Sequence, residues 1–221
     1  DDESVGHARP PGVDLVLDAV QELESRRGFP SREVGVLPQF EPAAVLALFE
    51  RERVTLTNLV PTMLNLMVNH EARSRYDYRS LRLFLSGGAP IAPAVVRKIV
   101  ATFGAEYVQT YGMTETSPVS FQTAADDPLE KRVGSVGRIH PHVEVKVVDS
   151  EGRIVPPGMP GELCTRGYSV MRGYWNDPEA TAAVLEADGA LRSSDLGRFD
   201  NEGNLVLLGR ADDLYIRGGY N

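Results

Sequence analysis

The chain has 221 residues, of which 42% are hydrophobic and 24% are charged, a balance typical of a globular protein that can bury a core. Its apolar runs fall short of the roughly 18 residues that a membrane-spanning helix needs, so we expect no integral membrane segment. The 31 acidic residues outnumber the 23 basic ones, which gives a net charge of −8 without any basic run, so we expect no nucleic-acid partner.

Residues 1–34 differ in pattern from the rest of the chain. The acidic start Asp1-Asp2-Glu3 is the reverse of a basic secretory leader, and the single Cys164 excludes an internal disulfide, so we expect a cytoplasmic protein. Apolar residues at helical spacing predict a helix over residues 13–23, and the Gly28-Phe29-Pro30 segment ends it.

Residues 35–124 alternate between helical and strand patterns. Three segments combine a proline in the first turn with apolar residues at helical spacing, and three short segments are apolar or β-branched. We expect helices that begin at Pro42, Pro61 and Pro93, and strands over residues 54–57, 81–85 and 107–111. The succession of strand, helix and strand favours a parallel sheet with crossover helices, which makes this region an α/β subdomain.

Residues 125–207 change to short strands separated by glycine and proline. We expect strands over residues 143–147, 162–165 and 204–208 and, further on, over 214–216. This pattern favours a small β-barrel-like subdomain, in which Cys164 should be a buried small hydrophobe and Trp175 should pack beneath the strands. The predicted fold class is therefore α/β, a parallel sheet with crossover helices followed by this β-rich subdomain.

Two loops follow strands of the predicted parallel sheet. The segment Ser86–Pro90 follows the strand over 81–85, and Gly112–Thr116 follows the strand over 107–111. Because open α/β sheets bind ligands at the carboxyl ends of their strands, both loops should border one site.

The residue types in these loops suit a nucleotide. Gly87 and Gly88 allow a flat ligand to approach the backbone, and Tyr111 offers a ring face. The hydroxyl of Thr114 can donate to a phosphate, and Glu115 offers a hard oxygen ligand for Mg2+. The alternative is that both glycine segments are merely turns.

Two polar residues further along the chain add to this pattern. Asp195 offers a carboxylate, the usual partner of vicinal ribose hydroxyls, and Arg210 can bind ribose or phosphate. The alternative is a surface aspartate in a turn and a solvated arginine.

A set of motifs stands in the order found in one family. They are Leu85–Ile91, Gln109–Thr116, Gly161–Gly167 together with Gly173–Thr181, Ser194–Gly197 and Gly209–Asp213. Over roughly residues 35–221 the chain resembles the adenylate-forming (AMP-binding) superfamily, which includes acyl-CoA synthetases, luciferases and the adenylation domains of peptide synthetases. Within it, the chain is most similar to a fatty- or aryl-acyl-CoA synthetase.

The resemblance implies a role for each matching residue. It implies that the adenine pocket is formed by Gly87, Gly88, Ala89 and Pro90, with the base stacked on Tyr111 next to Gly112. The implied catalytic contacts run from Thr114 to the α-phosphate and from Glu115 to Mg2+. Asp195 and Arg210 are implied to contact the ribose. It also implies that Pro61–Met63 and Gly112–Met113 border an acyl pocket. Residues 208–221 would hold a hinge, at Asp212, and the start of a C-terminal domain, with Gly218 and Gly219 near a pantetheine tunnel.

The implied reaction is that of an acid–thiol ligase. A small-molecule carboxylic acid reacts with ATP to form an acyl-adenylate, and the thiol of CoA or of a carrier protein then attacks this intermediate. ATP, Mg2+ and CoA as co-substrate are therefore the expected small molecules, and catalysis rests on positioning and charge stabilisation.

The chain also departs from the family pattern. A phosphate loop that ends in lysine is not found before Val36, the chain ends at Asn221 before the family's catalytic lysine, and Ser194 stands where the family has glycine. We therefore expect the central part of a larger enzyme, whose activity in isolation the sequence leaves open. The alternatives are a non-catalytic nucleotide-binding or interaction remnant, and a peptide-synthetase adenylation domain or luciferase-like oxygenase.

Overall fold

The computed structural model of the protein describes residues 39–211. The helix expected over 13–23, the strand expected over 214–216, the hinge residue Asp212 and the glycines Gly218 and Gly219 lie outside the described residues. Within residues 39–211, no helix is long and apolar enough to cross a membrane.

The first sheet has five strands in chain order. They are β1 (Leu56–Asn58), β2 (Leu83–Ser86), β3 (Glu106–Tyr111), β4 (Phe121–Gln122) and β5 (Arg138–Ile139). The first three strands are parallel, as predicted, and β4 and β5 add to them in antiparallel fashion. Ser86 lies opposite Gln109, so β2 and β3 end at the same edge of the sheet.

Five α-helices occur among the described residues. They are α1 (Pro42–Arg51), α2 (Pro61–Asn69), α3 (Pro93–Phe103), α4 (Leu129–Gly134) and α5 (Pro178–Val184), and a short 3-10 helix covers Glu71–Ser74. The helices that begin at Pro42, Pro61 and Pro93 are confirmed, since proline there needs no hydrogen-bonded N–H. The sequence analysis did not predict α4 and α5, because each is too short to present an apolar stripe.

Aromatic side chains form the core beneath the parallel strands. Phe84 of β2 is fully buried and lies 5.3 Å from Phe103 of α3 between ring centroids. Tyr78 contacts the same Phe103 ring edge-to-face at 4.8 Å. These contacts hold α3 against the sheet and fix the path of the chain on either side of the double-glycine turn.

The second sheet is antiparallel and has four strands in linear order. They are β6 (Val143–Val148), β7 (Gly161–Gly167), β8 (Leu191–Phe199) and β9 (Leu205–Arg210). This sheet confirms the α/β class with a separate β-rich part. The sequence analysis did not predict β8, in which Asp195 lies within a strand and not in the turn that the alternative interpretation placed it in.

Side chains from both sheets share one core. Phe121 of β4 packs with Val147 of β6, Leu163 of β7 and Leu205 of β9. Tyr111, at the end of β3, packs against this cluster. The cluster therefore brings the end of the parallel sheet close to β8 and β9.

Two side chains of the β-rich region test the expected packing. Cys164 is 1% exposed in β7, which confirms the buried position. Its burial, reinforced by the charge of Glu162, raises the pKa of the Cys164 thiol to about 11, so it is a poor nucleophile at neutral pH. The packing expected for Trp175 is wrong, because its side chain is 90% exposed.

Candidate active site

The two predicted loops lie side by side at the carboxyl ends of β2 and β3. The Thr110 hydroxyl donates a hydrogen bond to the Ser86 carbonyl oxygen at 3.1 Å, which joins the two strand ends. A Cβ atom at Gly87 would lie 2.3 Å from that hydroxyl and 2.7 Å from the Thr110 carbonyl oxygen. Gly87 is thus required by close packing, and the expected proximity of the two loops is confirmed.

The rest of the double-glycine turn faces solvent. Gly88 has a φ of +79°, which favours glycine, and a Cβ atom there would meet nothing within 4 Å. Gly88, Ala89 and Pro90 are all exposed. This stretch of backbone is therefore accessible to a flat ligand.

The turn after β3 is held by close backbone packing and one buried threonine. A Cβ atom at Gly112 would lie 1.9 Å from the Pro118 carbonyl oxygen. The buried Thr116 hydroxyl accepts a hydrogen bond from the Met113 N–H at 3.2 Å and donates to the Met113 carbonyl at 3.1 Å. These contacts fix a 3-10 helix over Thr114–Thr116, on which the Thr114 side chain is exposed.

Glu115 is held by a segment that the sequence analysis left without a function. The Tyr174 hydroxyl donates a hydrogen bond to Glu115 Oε1 at 2.8 Å, and the Met171 N–H donates to the Glu115 carbonyl oxygen at 2.8 Å. Tyr174 is itself held, because its N–H donates to the Thr181 hydroxyl at 2.9 Å. Tyr174 lies within the Gly173–Thr181 motif, which was the only sequence signal for it.

Tyr111 and Asp195 meet although 84 residues separate them. The Tyr111 hydroxyl donates a hydrogen bond to Asp195 Oδ2 at 2.7 Å. Burial, with a further contribution from Asp195, raises the pKa of Tyr111 well above its usual value, so the phenol stays protonated and keeps donating. The Asp195 side chain is 21% exposed, so it is reachable from the solvent.

Arg210 completes this group from the neighbouring strand. The register of β8 and β9 sets Arg210 opposite Asp195, and its Nε lies 3.7 Å from Asp195 Oδ1. The Arg210 side chain is 57% exposed, and an ion pair of this kind contributes about 0–1 kcal/mol. Within residues 39–211, this weak ion pair leaves the guanidinium able to turn to a ligand.

Ser194, directly before Asp195, has a left-handed backbone with a φ of 58°. This explains why a glycine suits the position in the family pattern, since a side chain costs about 1–2 kcal/mol in this conformation. No side-chain hydrogen bond of Ser194 offsets that cost within the described residues.

We expect Ser194→Gly to raise the free energy of unfolding by about 0.5 kcal/mol, because the relief of strain exceeds the added entropy of the unfolded chain. The neighbouring Ser193→Gly should lower it by about 2 kcal/mol. The Ser193 hydroxyl is buried, donates to the Leu163 carbonyl at 2.9 Å and accepts from the Asp195 N–H at 3.1 Å. Urea unfolding curves of the two variants measure the difference, and equal signs would contradict the strain at Ser194.

The chain matches the family of AMP-binding enzymes over residues 32–175. It belongs to this family. A curated relative, the acyl-CoA ligase sidI of Aspergillus fumigatus, is 37% identical over 215 residues, which covers 95% of this chain and 35% of that protein. Coverage of that extent means that the alignment includes part of residues 1–34. The mitochondrial medium-chain acyl-CoA ligase ACSF2 of Rattus norvegicus is 39% identical over 186 residues, covering 83% of this chain and 30% of that protein.

Solved structures agree with this family. The amide bond synthetase McbA from Marinactinospora thermotolerans superposes with a TM-score of 0.73 and 41% identity, over 80% of this chain and 36% of that one. The ATP-bound RpMatB-BxBclM chimera B3 superposes with a TM-score of 0.73 and 35% identity, over 84% of this chain and 36% of that one. The chain thus spans about a third of the length of the curated relatives that it matches.

Glu115 is the candidate metal ligand of the site. No group of three or more His, Cys, Asp or Glu side chains that could hold a metal ion occurs within residues 39–211. Mg2+ commonly binds through one or two carboxylates together with substrate phosphates, rather than in a cage of protein ligands. The single Glu115 carboxylate on an ordered turn, next to the exposed Thr114, fits a metal of that kind.

Proposed function

We propose that this chain forms the nucleotide-binding centre of an ATP-dependent acid–thiol ligase. In the first step a carboxylate oxygen attacks the α-phosphorus of ATP, and the bond to pyrophosphate breaks. In the second step a thiol attacks the acyl carbon of the acyl-adenylate, and AMP leaves. The observation that carries the proposal is the contact of Tyr111 with Asp195 at the end of β3, which brings distant segments together next to the double-glycine turn.

Each residue of the site has a defined task in this proposal. The backbone at Gly87, Gly88, Ala89 and Pro90 and the Tyr111 ring, beside Gly112, bind adenine. Asp195 accepts hydrogen bonds from the ribose hydroxyls through Oδ1, since the Tyr111 hydroxyl already occupies Oδ2. Arg210 binds the ribose from the other side, and the exposed Thr114 hydroxyl donates to the α-phosphate. These contacts orient the nucleotide for attack, and no general base is needed.

In this proposal Mg2+ binds together with ATP. Glu115 would hold it, and the bound ion would offset negative charge on the phosphates. The Tyr174 hydroxyl binds Oε1, and Oε2 of that carboxylate has no hydrogen-bond partner within residues 39–211.

The acceptor and the location are also proposals. The names of the two curated relatives favour CoA over a carrier-protein thiol. The name of the amide bond synthetase favours an amine as a second candidate acceptor, which would attack the same acyl-adenylate. A cytoplasmic location stays a prediction, and the name of the rat relative includes the word mitochondrial.

Exchange of labelled pyrophosphate into ATP, with a panel of carboxylic acids, tests the adenylation step directly. We expect exchange in the full product of the gene and ATP binding by calorimetry in this chain. If neither preparation exchanges pyrophosphate and neither binds ATP, the non-catalytic remnant is the better description.

We expect Glu115→Gln to raise the Mg2+ concentration needed for half-maximal pyrophosphate exchange by about tenfold, because an amide oxygen is a weaker ligand for this hard cation. The Kd of this variant for AMP in the presence of EDTA should stay within about twofold of the wild-type value, since the adenine and ribose contacts are intact. An Mg2+ dependence identical to that of the wild type would contradict the role given to Glu115.

A further inference from the structure

Strand β8 is irregular directly at the proposed ribose contact. The pairing of β7 with β8 shifts register between Glu162 and Cys164, and the pairing of β8 with β9 shifts between Leu196 and Gly197. Ser194 lies within the first of these shifts, because Glu162 pairs with Leu196 and Cys164 pairs with Arg192, and its backbone is left-handed. A distortion of this kind takes N–H groups out of the ladder, so other acceptors must satisfy them.

Side chains supply these acceptors. Glu162 Oε1 accepts the hydrogen bond of the Ser194 N–H at 3.1 Å, and the Ser193 hydroxyl accepts that of the Asp195 N–H at 3.1 Å. The other oxygen of Glu162 forms an ion pair with Arg192, and only 16% of the Glu162 side chain is exposed. Glu162 is therefore fixed at both oxygens against the residue that precedes Asp195.

We propose that Glu162 is a positioning residue for nucleotide binding, which acts through the Ser194 amide to aim the Asp195 carboxylate at the ribose. This inference rests on the function proposed for Asp195. The hydrogen bond to Ser194 holds the left-handed turn, and the turn directs Asp195 Oδ2 to the Tyr111 hydroxyl. The proposal assigns a function to Glu162 of the Gly161–Gly167 motif, whose residues make no direct contact with the nucleotide in the proposed site.

A competing explanation is that Glu162 serves only as an ion-pair partner of Arg192. Arg192 also lies 3.7 Å from Glu186, and Glu186 pairs with Lys146, so a network of charges surrounds this part of the sheet. The two explanations differ in what Glu162 must provide. Positioning requires a hydrogen-bond acceptor on a side chain long enough to meet the Ser194 N–H, whereas the charge network requires a negative charge at Glu162.

Two substitutions of Glu162 change its side-chain length and its charge independently. Glu162→Gln keeps the reach and an acceptor oxygen but removes the charge, and Glu162→Asp keeps the charge but shortens the side chain by one methylene. We expect Glu162→Asp to raise the Kd for AMP about tenfold, measured by calorimetry without metal, because a small misplacement of the carboxylate is costly. Glu162→Gln should stay within about twofold of wild type.

Hydrogen exchange of the Ser194 amide gives a readout apart from binding. We expect faster exchange in Glu162→Asp and unchanged protection in Glu162→Gln, both checked for folding by circular dichroism. Arg192→Met is the matched control, because it removes the ion pair and leaves the Glu162 acceptor, so its Kd should stay within about twofold of wild type.

The outcomes are distinct. A tenfold loss of AMP affinity in Glu162→Gln or in Arg192→Met would overturn the inference in favour of the charge network, even if Glu162→Asp does not fold. Wild-type affinity in a folded Glu162→Asp would also overturn it. Failure of the wild-type chain to bind AMP would instead refute the proposed function.

Discussion

Replacing Asp195 by alanine should raise the Kd for AMP about 100-fold, the largest functional effect that we expect from a single substitution. A hydrogen bond to a charged acceptor contributes about 1.5–3 kcal/mol and alanine removes two of them, so the lower end of this range, about 3 kcal/mol in total, corresponds to a loss of about 100-fold. The Tyr111 hydroxyl also loses the acceptor that it contacts at 2.7 Å, so its position is no longer fixed. Calorimetry on this chain gives the Kd directly, and the full product of the gene should show a matching rise in the KM for ATP.

Two further variants make this result specific. Asp126 is exposed, so Asp126→Ala is a control that removes one negative charge without touching the site, and its Kd for AMP should equal that of wild type. Tyr111→Phe keeps the ring and removes only the hydroxyl, so its loss of affinity should stay below about tenfold. If Asp195→Ala, folded by circular dichroism, bound AMP like the wild type, the ribose contact would be refuted.

The parts of the fold that the sequence predicted are those governed by local rules. The proline-initiated helices follow from residues within one or two turns, and α3 begins at Pro93, as the sequence predicts. The parallel order of β1, β2 and β3 follows from their alternation with those helices. Once the strands are parallel, the juxtaposition of the two glycine loops needs no further information.

The features that the sequence did not predict depend on contacts between distant residues. Strand β8 carries consecutive serines and an aspartate, so its composition favours a turn, and only pairing with β7 and β9 makes it a strand. The contact between Tyr174 and Glu115 spans 59 residues, and that between Ser194 and Glu162 spans 32. Hydrophobic periodicity and residue propensity do not predict contacts between residues so far apart in the sequence. The family motifs include these residues, but a motif does not indicate which residue each of them contacts.

Replacing Gly112 by alanine should lower the free energy of unfolding by at least about 3 kcal/mol, since the new methyl group requires the backbone to move. Its Cβ atom would lie 1.9 Å from the Pro118 carbonyl oxygen, 2.7 Å from the carbonyl carbon and 2.9 Å from the Val119 Cα. All three are backbone atoms, so no rotation of a side chain can relieve the contact. Against a typical total of about 5–15 kcal/mol, this loss is large enough to appear as a clear fall in the urea midpoint.

Glycines elsewhere in the chain provide a graded comparison for the same measurement. Gly134→Ala at the end of α4 meets nothing within 4 Å and should stabilise the protein by up to about 1 kcal/mol. The free energy of unfolding of Gly87→Ala should lie between those of the other two variants. The nearest contact of its new Cβ atom, at 2.3 Å, is the Thr110 hydroxyl, which can rotate away. The Thr110 carbonyl oxygen, at 2.7 Å, is a backbone atom and cannot. We expect Gly134→Ala to be the most stable of the three variants and Gly112→Ala the least stable. If Gly112→Ala were not the least stable, the turn after β3 would pack differently, and the geometry proposed for Thr114 and Glu115 would lose its basis.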